Sequence, residues 1–246
     1  MVARTAPRAT MSPAPPARPA AEPLWVAFVN TGAAPGADGS GDVLRDFDRF
    51  VSWLVASDAL DAERAPSIRR RAEQQPAGAA AVLVDARRVR SALRGLADPG
   101  SSSGGTAAGA PPGRRARAEG DALGEINRVL GRSAGMRRVE RRVDGAYARA
   151  FVTVGDAFAG LLVPVVDSAV ETLVGGDIAR VRTCAAPRCG RAFVDVTRNG
   201  RRRWCDMATC GNRAKAARHR GQHAADQTAG ADCTGPAQAG VGASLR

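Results

Sequence analysis

Four cysteines constrain this chain more than any other feature. Cys184, Cys189, Cys205 and Cys210 form two C-x4-C pairs separated by fifteen residues. Zinc takes four soft ligands in a tetrahedron, and two short-spaced pairs let each pair occupy one tight turn while the intervening chain brings the turns together. Iron–sulfur clusters and redox dithiols are usually signalled by tighter C-x-x-C spacing, so the pattern reads as one structural zinc ion. Four thiolates close the coordination shell, and no catalytic zinc is expected. The intervening residues agree: Phe193, Val194 and Val196 predict a strand, Asn199-Gly200 a turn, and Arg202 to Cys205 a returning segment. A helix follows the last cysteine, from Gly211 to His219, completing a small α+β, treble-clef-like module. About forty residues enclose too little core to fold alone, and structural zinc contributes roughly 10–16 kcal/mol to such modules. Chelation is therefore expected to unfold this module and leave the rest of the chain folded. His219 and His223 are not needed as ligands, and Cys233 reads as a free surface thiol in a polar tail.

Charge is concentrated in the same place. The formal net charge is +12, and residues 180–220 hold twelve basic against two acidic residues, a net +10, leaving +2 for the other 205. Lys215 is the only lysine, so a coding bias toward arginine accounts for Arg in place of Lys. It does not account for the loss of acids from one segment. The chain contains no apolar run long enough to span a membrane. Its Pro/Ala-rich start lacks the apolar core of a secretory signal, and a cytosolic protein is expected. Cysteines in that compartment serve metals more often than disulfides.

The remaining chain reads as mainly α with one β-hairpin. Residues 1–22 form an arm unsuited to packing, and residues 23–178 a helical domain. Leu24 to Thr31 is an apolar run in which periodicity does not separate helix from strand. Asp42 is placed to cap a helix whose stripe is Leu44, Phe47, Phe50, Val51, Leu54 and Val55. A short helix is expected over 67–73 and a longer one over 79–96, with Val82, Ala86, Val89, Leu93 and Leu96 buried. Residues 98–117 are Ser, Gly, Ala, Pro and Arg, a flexible insertion. Helical pattern resumes at Leu123, Ile126, Val129 and Leu130. Two alternating runs around Val139 and Phe151 flank Asp144-Gly145, a two-residue hairpin signal. A last helix over 157–173 leads into the cysteine module at 179–221, and residues 222–246 form a polar tail.

The stretch Trp204 to Ala216 contains the tetrapeptide Cys210-Gly211-Asn212-Arg213. Together with Cys184-x4-Cys189, Phe193-x-Asp195 and Thr197-Arg198-Asn199, it resembles the CGNR zinc-finger family. In that family the finger follows a helical domain called ABATE, found in proteins proposed to regulate transcription under stress. Phe28-Val29-Asn30-Thr31 resembles the opening motif of that domain, and Phe47 to Leu54 its first long helix. The resemblance implies a bacterial regulator of transcription whose helical domain senses a ligand or stress signal.

Two functions fit the residues. In the first, the finger binds DNA. Arg201, Arg202, Arg203, Lys215, Arg218 and Arg220 then contact phosphates, and Asn212 and Arg213 either read base edges or serve the helix cap and metal site. Specific recognition would need a homodimer or a partner in the transcription machinery. In the second, the finger is a protein-interaction or RNA-binding module attached to a small-molecule-binding domain. Residues 24–175 show no nucleophile–base set, phosphate loop or carboxylate pair, so an enzyme is not expected.

Overall fold

In the computed structural model, the described residues are 22–32, 41–97, 112–141, 145, 147–156, 158–187 and 189–220. The apolar run after Pro23 is helical: α1 spans Leu24–Val29, with Trp25, Val26 and Phe28 fully buried. Periodicity could not decide this because the segment is buried on most of its circumference. The Trp25 indole N–H donates to Thr172 Oγ1 at 2.8 Å, and Phe28 packs against Phe50 and Trp53.

The helix expected behind Asp42 is two elements. Asp42 caps a 3₁₀ turn, Val43–Arg45, by accepting from the Leu44 N–H at 2.8 Å. A second cap, Asp46, accepts from the Arg49 N–H at 2.8 Å and starts α2, Phe47–Ala56. Asp42 does more than cap. The Arg90 guanidinium grips both of its carboxylate oxygens, at 2.6 and 2.7 Å, and also donates to Thr31 Oγ1 at 3.2 Å. This fork holds the Asp42 carboxyl below its ordinary pKa and fixes the two ends of the 32–42 connection to α4.

The next helices are α3 (Ala65–Gln74), α4 (Pro76–Ala97) and α5 (Pro112–Arg132). All five residues expected on the buried face of α4 are buried. Charged pairs fasten α5 along α4: Asp85 meets Arg128 at 3.0 Å and Arg132 at 3.2 Å, and Glu125 meets Arg88 at 2.8 Å. The expected insertion over 98–117 requires correction, because residues 112–117 belong to α5; residues 98–111 lie outside the described residues. Apolar periodicity is silent there. The helix is carried instead by good helix formers and an exposed i,i+4 pair, Arg115–Glu119.

Strands β1 (Gly135–Arg141) and β2 (Tyr147–Thr153) pair antiparallel. A two-residue turn at 144–145 would set Arg141 opposite Ala148, yet its partner is Tyr147. The connection therefore has an odd number of residues. Gly145, at φ +84°, supplies the left-handed residue that ends odd-length hairpin loops; residues 142–144 and 146 are not described. Ion pairs Arg137–Asp167 and Arg149–Glu171 hold the hairpin over α6 (Val163–Val174). That helix begins six residues later than expected, with a proline in its first turn. Phe158, Leu161 and Leu162, read as its start, are buried in a turn, Phe158 edge-on to Phe47.

A 3₁₀ turn, Asp177–Arg180, leads into β3 (Val181–Thr183), which pairs antiparallel with β4 (Ala192–Val194). Val181 and Ala192 belong to the same continuous core as α1 and α4. The packing thus crosses the boundary that the sequence places at 178/179. Among the described residues, no helix is long and apolar enough to cross a membrane.

Removing the acceptor at Thr172 isolates the α1–α6 link. Thr172→Val keeps the shape and leaves the buried indole N–H of Trp25 unsatisfied, so stability should fall by about 1–3 kcal/mol. Urea denaturation should show a lower midpoint at unchanged m-value.

Candidate metal centre

Cys184 follows β3 directly, and its N–H donates to Arg191 O at 2.8 Å as an extension of the ladder. The chain then turns, with the Cys189 N–H donating to Ala186 O at 3.1 Å, and Gly190 adopts φ +59°, the left-handed conformation that glycine provides at low cost. The second pair lies on the opposite side. Asp206 caps the following turn by accepting from the N–H groups of Ala208 and Thr209, each at 3.1 Å. Met207–Gly211 then forms one π-helical turn that carries Cys210, and helix α7 continues over 212–220. The helix therefore starts earlier than the sequence indicates, with Cys210 inside its first turn.

A zinc ion bonded to four sulfurs at about 2.3 Å requires sulfur–sulfur edges of about 3.8 Å. The Sγ atoms of Cys189 and Cys205 are 3.7 Å apart, those of Cys205 and Cys210 are 3.8 Å apart, and all four lie within 4.8 Å of one another. The donors fit the ion in both type and spacing. Sulfurs this close resist ionising together: burial, then the neighbouring thiols, pushes the thiols of Cys205 and Cys210 up. Burial also acts to raise Cys189, but the backbone N–H of Arg191 and the adjacent thiols bring it down on balance. A divalent cation at the centre is what allows four thiolates to coexist.

The segment returning from β4 is not a strand. Its partner in the sequence reading, β4, pairs with β3 instead, and residues 201–203 are held by other means. Asp195, fully buried, accepts from the Arg202 N–H at 2.8 Å and from the Thr197 N–H and hydroxyl at 3.0 and 2.5 Å, with Arg182 Nε 3.5 Å away. Burial acts to raise its pKa, and these donors outweigh it, so the carboxyl stays below its ordinary value. The Ala185 N–H donates to Arg203 O at 2.8 Å, which ties the two cysteine turns together. Arg202 donates to Trp204 O at 2.9 Å and to Cys205 O, and lies over the Phe193 ring at 5.0 Å. Trp204, partly buried, packs with Cys184, Ala186, Phe193 and Cys210.

Residues 180–223 match the CGNR zinc-finger family. Residues 22–176, more than half of the chain, match ABATE, whose description is "Putative stress-induced transcription regulator". The chain belongs to the ABATE family. No curated protein matches it. In this ABATE protein the family order, helical domain followed by CGNR finger, is as the motifs imply, and the finger holds one structural zinc ion.

The candidate nucleic-acid-binding residues of the ABATE protein's finger divide into two groups. Arg202 is occupied inside the module, as described, and Asn212 donates from Nδ2 to Ala208 O at 3.0 Å, bracing the first turn of α7. Arg201, Arg203, Arg213, Lys215, Arg218 and Arg220 are exposed, with Arg203 against the Trp204 ring at 5.5 Å. His219 is exposed on α7, while His223 and Cys233 lie outside the described residues. Sequence reasoning gave no role to Asp195 or Asp206, although a signal was present. They are the two acids of a segment with twelve basic residues, and each carboxylate gathers backbone N–H groups that have no other local acceptor. In a shallow groove elsewhere, lined by α4, α5 and residues including Asp156, Phe158 and Leu162, Asp85 pairs with Arg128 and Arg132.

Metal analysis of the purified protein should give one zinc per chain, and Cys205→Ser should reduce the content well below that. Asp195→Asn should cost about 1.5–3 kcal/mol, the scale of hydrogen bonds to a charged acceptor. Because the folded pKa is lowered, this contribution is present above the unfolded value of 3.8 and lost only as pH falls through the folded value. The difference in thermal stability between the two proteins should therefore stay constant from about pH 5.5 to 8.

Proposed function

We propose that this protein is a transcriptional regulator that binds DNA through helix α7 and the adjacent 201–203 segment. The observation that carries the reading is the exposure of α7. Of residues 212–220, only Ala214 is even partly buried, and the helix carries Arg213, Lys215, Arg218 and Arg220 with no acid. A short polar helix gains little from packing and is unstable alone, so this one depends on its first turn, which the zinc ligand Cys210 anchors. A cationic rod projecting from a metal-rigidified base suits a groove walled by phosphates, where each neutralised phosphate releases counterions.

The interior contacts refine the candidate set. Arg202 is committed to the carbonyls around Cys205 and offsets the excess negative charge of a four-thiolate zinc site, and Asn212 braces its own helix. The phosphate-contacting group is Arg201, Arg203, Arg213, Lys215, Arg218 and Arg220. One helix of this length offers less surface than a specific protein–DNA interface, so the reading includes a second copy of the chain or a component of the transcription machinery. The family description supports regulation of transcription, and the helical domain is the part proposed to receive the stress signal.

Fluorescence anisotropy of the zinc-loaded protein against duplex DNA, single-stranded DNA and RNA across a salt series tests this. Duplex binding should weaken steeply with salt, and changing Lys215, Arg218 and Arg220 to Ala should reduce the log–log slope by roughly 2–3. Preference for RNA, or no binding to any nucleic acid at moderate salt, would reject the reading.

A further inference from the structure

The turn that carries Cys184 and Cys189 is held from outside the finger. In the β3–β4 ladder alternate residues of β4 face β3, with Arg191 O accepting from Cys184. Ala192 lies between them, and its peptide groups point the other way, toward α1. There Asn30, the C-cap of α1, donates from Nδ2 to Ala192 O at 2.9 Å and accepts the Ala192 N–H at Oδ1, also at 2.9 Å. One side-chain amide thus supplies the donor and acceptor that a neighbouring strand would. Two residues earlier, Arg94 of α4 donates to Gly190 O at 2.6 Å, on the left-handed glycine directly after Cys189. Ala192 itself is fully buried in the core shared with α1 and α4.

We propose that Asn30 and Arg94 are positioning residues of the zinc site, holding Cys189–Ala192 so that the first cysteine pair faces the second, and that zinc affinity belongs to the helical domain and the finger jointly. The physical reason is ordering cost. A metal that must also fold its ligand loop binds more weakly than one that meets a loop already held. Neither residue touches the ion. Each fixes the backbone beside a ligand, the kind of outer support whose loss weakens metal sites by about 10–100-fold. Linkage makes the effect mutual: zinc binding favours the docked α1, and displacement of α1 or α4 lowers zinc affinity by the same factor. Chelation accordingly loosens the helical domain, unlike the independent behaviour that the cysteine spacing alone implies.

The test is zinc affinity of the full-length protein, measured by competition with a chromophoric chelator, for wild type, Asn30→Ala, Arg94→Ala and Val51→Ala. Val51 is fully buried in α2, so its truncation lowers the stability of the helical domain while leaving both anchors in place. Far-UV circular dichroism verifies folding of each variant, and Arg94→Ala, which leaves no core cavity, preserves the test if Asn30→Ala does not fold. The expected result is zinc binding weakened about tenfold or more in Asn30→Ala and Arg94→Ala, with Val51→Ala at wild-type affinity despite a lower melting temperature. Wild-type affinity in the folded Asn30 and Arg94 variants would overturn the proposal. So would equal weakening in Val51→Ala, which would assign the effect to global stability.

Discussion

The segment Leu24–Val29 is too short to be helical by itself, and every neighbour that makes it so comes from far along the chain. Trp25 bonds to Thr172 of α6, Phe28 packs on Phe50 and Trp53 of α2, and Asn30 at its end bonds to Ala192 of the finger. The six helical residues and the Asn30 cap therefore join three parts of the molecule, and burial of the helix's side chains is what brings those parts together. The Arg90–Asp42–Thr31 fork secures the chain directly after this helix. Without α1 in place, α6 and β4 would each expose an apolar face.

The finger depends on a second constraint, the close approach of four sulfurs. Its polar interior is arranged around that approach. Asp195 collects N–H groups ahead of the second cysteine pair and Asp206 collects them between its two cysteines, while Arg202 collects carbonyls. Asp195 is withdrawn from the basic surface altogether, fully buried among its donors, whereas Asp206 stays exposed and caps the turn that carries Cys210. Arginine is similarly divided: Arg202 faces inward, whereas the residues of α7 face solvent. A count of charges along the sequence contains both kinds and cannot separate them.

Much of the metal centre was legible in the sequence because ligand chemistry is local. C-x4-C pairs place donors on turns whatever lies around them, and soft thiolates at that spacing select zinc. The buried face of α4 was equally legible, since Val82, Ala86, Val89, Leu93 and Leu96 repeat at helical spacing. Local pattern fails where a long-range contact decides. The apolar stripe makes Asp42 the cap of α2, but Arg90 and the 3₁₀ turn claim it and leave Asp46 to start the helix. In the finger, β4 pairs with β3 in place of the returning segment; the β1–β2 connection also departs from the two-residue Asp-Gly signal, being odd in length.

The ligand set, the basic character of the finger and the helical nature of what precedes it follow from side-chain chemistry and from periods a few residues long, and are legible from the residues alone. Tertiary contacts make α1 a helix, turn Arg202 inward and merge the finger and the helical domain in one core. Those outcomes rest on contacts between residues as far apart as Asn30 and Ala192. A carboxamide meeting the N–H and C=O of a single residue across 162 positions leaves no periodic trace, so its partner is set by packing alone.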